Sequence, residues 1–196
     1  MYNHMAKKIT SYLLKNNIGH QNYRDIYEYG FECGFSIIAN IIIVICIGFI
    51  LNIQGYLITY MAVYTLMRIN TGGFHCKNHI TCIITYLIMS LASILAFWLL
   101  KGYIYRDILV YLSLFLSIAM VILFAPVAST NKKINDKLRK DLKTKGIFTV
   151  IILSIIIICL TVINGYTIIT ISGTAALLVQ SLTLIPFLNK NIKYIL

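Results

Sequence analysis

The sequence consists mainly of long apolar segments separated by short polar stretches. The apolar segments cover approximately residues 35–53, 56–67, 80–100, 108–127, 147–163 and 166–188. A helix needs about 20 residues to cross the roughly 30 Å hydrocarbon core of a bilayer. The third, fourth and sixth segments reach this length, the first and fifth come close to it, and the second is too short. The pattern therefore predicts an all-α, polytopic membrane protein of about six membrane helices, the second one short or re-entrant.

The most polar connection follows the short second segment. Its polar residues and glycines are Arg68, Asn70, Thr71, Gly72, Gly73, His75, Cys76, Lys77, Asn78 and His79. Backbone that is not helical is tolerated at membrane depth only where protein or a wet cavity satisfies its hydrogen bonds. We therefore expect a polar cavity at this point of the chain.

Residues 1–34 form a charged arm ahead of the first apolar segment. Ile9, Tyr12 and Leu13 recur at helical spacing, and the pattern breaks near Asn16 and Gly19. Such an arm is expected to lie on the membrane surface, and a packed cap without a function of its own explains the pattern equally well. It has no small-residue cleavage site, so no cleavable signal peptide is predicted. We expect one domain over 1–196, made of this arm, a membrane bundle over 35–188 and a tail over 189–196.

Basic residues are distributed very unequally among the polar stretches. There are seventeen Lys and Arg against six Asp and Glu, a formal charge of +11. In an alternating six-helix arrangement fifteen of the seventeen fall on one side, and Lys101 and Arg106 fall on the other. The positive-inside rule then places both termini in the cytoplasm. Because these residues flank apolar segments, we expect them to face anionic lipid rather than nucleic acid.

Composition excludes a soluble globular protein. An apolar share of 59% is more than one core of 196 residues can bury. The five cysteines, Cys33, Cys46, Cys76, Cys82 and Cys159, are odd in number and lack the spacing of a disulfide framework, which predicts free thiols. Cys46 and Cys159 lie in apolar segments and are interpreted as small hydrophobic residues.

His75 and Cys82 are the candidate catalytic pair. They are separated by two helical turns, or by the end of a loop and the first turn of the next helix. Asn78 or Thr81 can cap that helix, whose N-terminus, together with Lys77, favours a thiolate at Cys82. An adjacent imidazole is the usual base for a thiol nucleophile.

Three further residues of the same stretch complete the candidate site. Gly72 and Gly73 allow a close approach of the backbone and can direct N–H groups at an oxyanion. Arg68 would be costly in lipid unless it held a carboxylate of the substrate or of an acidic partner.

Two other functions are compatible with the pattern. His75, His79 and Cys82, with Cys76 as a fourth ligand, could form a zinc site and make the protein a metal-dependent membrane hydrolase. The two glycines argue against the continuous helix that this site needs, so we favour a peptidase without metal or cofactor. A small peptide transporter also has short helices and a polar break, but the apolar segments here contain too few ionisable residues to form a polar conduit.

The sequence resembles the accessory gene regulator B (AgrB) family of membrane peptidases. The resemblance covers nearly the whole chain and rests on Arg68, Gly72, Gly73, His75 and Cys82 in the family's order and spacing. Two more stretches are similar to the family: Tyr29 to Glu32, and Ala125 and Pro126 followed by Asn131, Lys132 and Lys133. Lys133 stands where the family often has a proline, so the sequence departs from the family's pattern in that loop, and the loop geometry is expected to differ.

The resemblance implies a function for this site. His75 and Cys82 would be the catalytic pair, and Arg68, Gly72, Gly73 and Glu32 would shape the site or bind substrate. The family's members cleave the C-terminal part of a quorum-sensing propeptide through a thioester acyl-enzyme, and an internal side chain then closes a thiolactone or lactone. The resemblance also implies a bacterial cell membrane, a propeptide partner and a homodimer.

A basic loop is predicted over residues 131–145. It contains seven Lys and Arg, among them Lys132 and Lys133, against Asp136 and Asp141. This loop can act as an anchor on anionic lipid. It can also recruit an acidic segment of the propeptide by electrostatic steering.

Overall fold

The described residues form helices almost throughout. The computed structural model describes residues 2–16, 18–73, 79–102, 104–127 and 136–185. The α-helices are α1 (Tyr2–Lys15), α2 (Arg24–Ile50), α3 (Gln54–Thr71), α4 (His79–Leu99), α5 (Arg106–Phe124), α6 (Asp136–Asn164) and α7 (Ile168–Leu182). Short 3-10 helices cover Gln21–Tyr23 and Leu100–Gly102. Four of the helices, α2, α4, α5 and α6, are long and apolar enough to cross a membrane. The predicted all-α polytopic architecture is confirmed.

The chain divides into two compact units, residues 1–47 and 48–196. In the first unit, a helix and then a break near Asn16 were predicted, and α1 does end at Lys15. Tyr12 of the predicted stripe is 66% exposed, and the residues of α1 that are buried within the protein are Ala6, Thr10 and Leu14, spaced four residues apart. A membrane-facing role for the stripe stays a prediction. The predicted arm over residues 1–34 is not separate from the first membrane helix, because its last residues belong to α2, which begins at Arg24 and continues to Ile50.

Two predicted segment lengths are wrong in the second unit. The second segment was expected to have about twelve residues, but α3 has 18 and rises about 27 Å, although it is not among the four described helices that are long and apolar enough to span. Its last turn can remain helical because its polar side chains find partners, such as Asn70 Nδ2 donating to Thr149 Oγ1 at 3.0 Å. The sixth segment was expected to span outright, but α7 has only 15 residues and rises about 22 Å.

Helix α7 is the central element of the second unit. It contacts α3, α4, α5 and α6, and its residues from Thr170 to Leu177 are all buried. A helix enclosed by other helices does not have to match the thickness of a bilayer. Small residues such as Gly173 allow close packing, since an added Cβ there would lie 2.9 Å from Ile157 Cδ1 of α6.

A polar cluster joins the start of α5 to the turn between α6 and α7. The Tyr166 hydroxyl donates a hydrogen bond to Asp107, and the Arg106 guanidinium lies 4.7 Å from the centre of the Tyr166 ring. Burial, followed by the hydrogen bond and charge of Asp107, raises the pKa of Tyr166 above its ordinary value. The phenol therefore remains a proton donor to Asp107.

Candidate functional site

The C-terminal end of α3 carries the first site residues. The helix ends because Gly72 adopts φ +70° and ψ −144°, a conformation that side chains disfavour. The Gly72 N–H donates to the Arg68 carbonyl oxygen at 2.9 Å, which closes the last turn. Gly73 also has a positive φ, +135°. Of the predicted glycine pair, Gly72 therefore cannot offer its N–H to a ligand without opening the end of the helix.

Arg68 projects from this last turn towards an aromatic cluster. Its Nη1 donates to the Tyr64 hydroxyl at 2.8 Å, and its Cζ lies 5.6 Å from the Tyr64 ring centre. Tyr64 in turn contacts Tyr60, at 5.8 Å between ring centres, and Tyr86 of α4, at 5.2 Å. An ideal Cβ on Gly73 would lie 3.5 Å from Arg68 Nη1. The guanidinium is thus held between the aromatic cluster and the glycine turn.

Cys82 lies in the first turn of α4, as predicted from the sequence. The helix begins at His79, so Thr81 is inside it and is not its cap, and Asn78 lies outside the described residues. The Cys82 thiol is free and half-buried. Helices joined by a short connection, here residues 72–78, are usually antiparallel neighbours. The Tyr64 and Tyr86 rings join α3 to α4 at a point one turn before Arg68 and one turn after Cys82 in the sequence.

A short parallel bridge joins the glycine turn to the end of α5. Gly72 pairs with Val127, and the Val127 N–H donates to the Thr71 carbonyl oxygen at 2.9 Å. A Cβ on Gly72 would lie 2.1 Å from the Val127 carbonyl oxygen. Only glycine therefore fits at this position, and the chain that follows α3 starts beside the chain that follows α5.

Gln180 of α7 holds the same turn from the other side. Its Nε2 donates to the Gly72 carbonyl oxygen at 2.6 Å and to Thr71 Oγ1 at 3.2 Å. Its side chain is fully buried. Thr183 lies beside it and donates to the Gln180 carbonyl oxygen at 2.7 Å. Sequence reasoning missed Gln180, although an amide within an apolar segment is a signal for a buried polar contact.

Helix α6 brings basic residues to the same end of the second unit. An added Cβ on Gly146 would lie 3.0 Å from Thr71 Cγ2, so the α6 backbone passes close to the end of α3. The predicted basic loop is wrong over its second part, because α6 already begins at Asp136. This part is helical because it is rich in helix formers and has an i,i+4 ion pair between Lys145 and Asp141 at 2.8 Å.

The structure describes some of the predicted site residues and not others. The structure brings together Arg68, Gly72 and Gly73, with Cys82 on the neighbouring helix. Glu32 lies half-buried on α2 in the first unit. His75, Lys132 and Lys133 lie outside the described residues, as does the side chain of His79. Within the described residues, no three His, Cys, Asp or Glu side chains are grouped as a metal site requires.

Comparison with known proteins assigns the family. A family profile described as Accessory gene regulator B matches residues 6–184. The chain is 30% identical to Accessory gene regulator protein B of Staphylococcus aureus strains MRSA252 and MW2, over 94% of this chain and 95% of each relative. It is 24% identical to Putative AgrB-like protein 2 of Clostridium perfringens (strain 13 / Type A), over 83% of this chain and 76% of that protein. No solved structure matches it. This chain therefore belongs to the accessory gene regulator B family.

Proposed function

We propose that the protein is a membrane-embedded cysteine endopeptidase that cleaves a quorum-sensing propeptide and promotes its cyclisation. One observation carries the proposal. The half-buried Cys82 thiol lies in the first turn of a membrane helix, α4, whose Tyr86 packs on Tyr64 of α3, the residue that holds the Arg68 guanidinium before the glycine turn at Gly72. A nucleophile at a helix N-terminus, a cation and close-approach backbone are the parts that acyl transfer requires.

The first half of the reaction forms an acyl-enzyme. His75 takes the thiol proton, and the Cys82 sulfur attacks the scissile carbonyl carbon of the propeptide. The N–H groups of the first turn of α4, where Cys82 lies, are the proposed donors to the resulting oxyanion. When the tetrahedral intermediate collapses, the C–N bond breaks and the amine of the C-terminal fragment leaves with the proton from His75. A thioester on Cys82 remains.

The second half closes the ring. An internal thiol or hydroxyl of the propeptide attacks the thioester carbonyl, His75 accepts its proton, and the Cys82 thiolate leaves and is reprotonated. Exchange of one thioester for another is nearly balanced in free energy. A site that excludes bulk water protects the acyl-enzyme from hydrolysis and so favours cyclisation.

Arg68 and the basic segment are proposed to hold the propeptide. Arg68 binds a carboxylate of the substrate. Lys132 follows Val127 by five residues, which span at most about 18 Å when extended. Because Val127 is paired with Gly72, both lysines are within reach of the catalytic turn. They can therefore capture an acidic segment of the propeptide beside the site.

Co-expression tests the proposed function directly. The gene is expressed with its neighbouring short open reading frames, and the medium is analysed by mass spectrometry. The expected product is a peptide whose mass is lower by one water than that of the linear fragment. It should disappear with Cys82→Ala and persist with Cys159→Ala, a matched change at a free, exposed cysteine. Persistence with Cys82→Ala would refute the assignment.

Replacing Lys132 and Lys133 with Gln is expected to raise the apparent KM and to leave kcat nearly unchanged. The physical reason is the loss of electrostatic capture, so kcat/KM should also depend less on ionic strength. Lys101→Gln, on the side predicted to be opposite, is the control and should change neither quantity. An unchanged KM and salt response in a correctly inserted variant would leave this segment with an anchoring role only.

A further inference from the structure

Helices α5 and α7 connect the same two places in the second unit. At one end, Asp107 in the first turn of α5 accepts a hydrogen bond from Tyr166, two residues before the start of α7. At the other end, Val127 follows α5 and pairs with Gly72, and Gln180 in the last turn of α7 donates to the carbonyl oxygen of the same glycine. The two helices pack against each other between these points. They therefore run parallel, from the contact between Tyr166 and Asp107 to the glycine turn.

The glycine turn is held between the ends of these two helices. The Val127 N–H donates to the Thr71 carbonyl oxygen at 2.9 Å, and Gln180 Nε2 lies 2.6 Å from the Gly72 carbonyl oxygen. The two acceptors belong to consecutive residues, so α5 and α7 hold neighbouring peptide groups of one turn. Hydrogen bonds weaken steeply with misalignment, so a relative shift of the two helices by about 1 Å would weaken one of these bonds or move the turn.

The contact between Tyr166 and Asp107 fixes how far α7 is advanced along α5. Apolar attraction between the helices has no direction, and packed helices can slide past one another by small distances. A hydrogen bond between side chains does have a direction. The Arg106 guanidinium, in the same turn of α5 as Asp107, lies 4.7 Å from the centre of the Tyr166 ring and holds the ring at a second point. Two contacts thus align the start of α7 with the start of α5.

We infer that Tyr166 and Asp107 are positioning residues that act on the candidate site from the opposite end of the second unit. Their contact fixes the axial alignment of α7 against α5, and this alignment keeps Gln180 and Val127 in place around Gly72. Helix α7 has 15 residues and rises about 22 Å, so the contact acts over roughly that distance. The expected effect on cleavage rests on the proposed function, whereas the expected effect on the glycine turn does not.

The test replaces Tyr166 with Phe, which removes the hydroxyl and keeps the aromatic ring. The Asp107 side chain is 56% exposed, so water can replace the lost donor and no charge is left buried without a partner. In the full-length protein in detergent, hydrogen–deuterium exchange should become at least about threefold faster in peptides covering residues 68–73 and 121–127. Tyr111→Phe is the matched control, because it removes the same hydroxyl from a 43% exposed tyrosine one turn further along α5. This control should exchange at the wild-type rate in both peptides.

Cleavage gives a second measurement. With the propeptide that is processed on co-expression, Tyr166→Phe should lower kcat about 3- to 30-fold and change KM less than about twofold, because the turn is displaced while capture of the propeptide is not. In Gln180→Met the turn has already lost its contact with α7. Adding Tyr166→Phe to that variant should therefore lower kcat by a smaller factor than it does in the wild type.

The outcomes separate this inference from the proposed function. Faster exchange that is confined to the start of α5 and the turn between α6 and α7 overturns the positioning role, as does a wild-type kcat in Tyr166→Phe. Equal factors for Tyr166→Phe with and without Gln180 also overturn it, since the two contacts would then act independently. Should Tyr166→Phe fail to accumulate in membranes, the same measurements on Asp107→Ala decide. Cleavage that survives Cys82→Ala would instead refute the proposed function, and the exchange rates would then test the alignment alone.

Discussion

Replacing Cys82 with Ala is expected to abolish cleavage of the propeptide, with a fall in kcat of at least about 1,000-fold. The sulfur of Cys82 is proposed to form the acyl-enzyme, and no other described thiol lies in the first turn of a helix. His75→Ala is expected to lower kcat by about 100- to 10,000-fold, because a general base and acid is lost while the thiol remains. Single-turnover cleavage in membrane vesicles, followed by mass spectrometry, measures both effects.

The other cysteines are the controls for this prediction. Ala at Cys33, Cys46, Cys76 or Cys159 should leave kcat within about twofold of the wild type. Full processing by Cys82→Ala, together with loss of processing in Cys76→Ala, would contradict the assignment.

The same assay distinguishes the two alternative functions. A cysteine peptidase should remain active in a strong chelator and should tolerate His79→Ala, whereas loss of activity together with a stoichiometric zinc ion would identify the metal-dependent hydrolase. Uptake of a labelled cyclic peptide into vesicles by the Cys82→Ala protein would support the transporter.

Gly72→Ala is expected to have the largest effect among changes that touch no reacting group. The added Cβ would lie 2.1 Å from the Val127 carbonyl oxygen, and this atom belongs to the backbone and cannot rotate away. The conformation itself, with φ +70°, adds roughly 1–3 kcal/mol of strain for a residue with a side chain. Relief of the overlap has to separate Gly72 from Val127, which displaces the turn beside Arg68. We expect a lower melting temperature and a fall in kcat of at least about 100-fold.

Gly34→Ala is the matched control for Gly72→Ala. Gly34 lies inside α2, and an added Cβ there meets nothing within 4 Å. Alanine is a better helix former than glycine by about 0.5–1 kcal/mol, so this variant should be unchanged or slightly more stable. Melting temperatures in detergent and cleavage rates in vesicles measure both variants. A Gly72→Ala protein with the melting temperature and cleavage rate of Gly34→Ala would refute the role assigned to the bridge.

Local pattern was sufficient for most of the architecture. The spans in α4 and α5 were predicted from the length of their apolar segments. The thickness of the hydrocarbon core sets a minimum number of apolar residues, and the sequence alone shows whether a segment reaches it. The break after α1 follows from Asn16 and Gly19, which disfavour a continuing helix. The position of Cys82 in a first turn follows from the change from polar to apolar residues near His79. All of these depend on neighbours in sequence.

Tertiary structure decided what depends on residues distant in the chain. The length of α7 could not be read from its apolar residues, because enclosure by four helices removes the requirement to match a bilayer. The polar last turn of α3 remains helical because Asn70 meets Thr149, a partner far along the chain. The sequence predicted that Gly72 belongs to the site. It could not predict that glycine is required there because the Val127 carbonyl oxygen lies beside it, since that contact comes from a bridge between the ends of two helices. The amide of Gln180 was visible as a polar residue in an apolar segment, and only packing of α7 against α3 determines which carbonyl it holds.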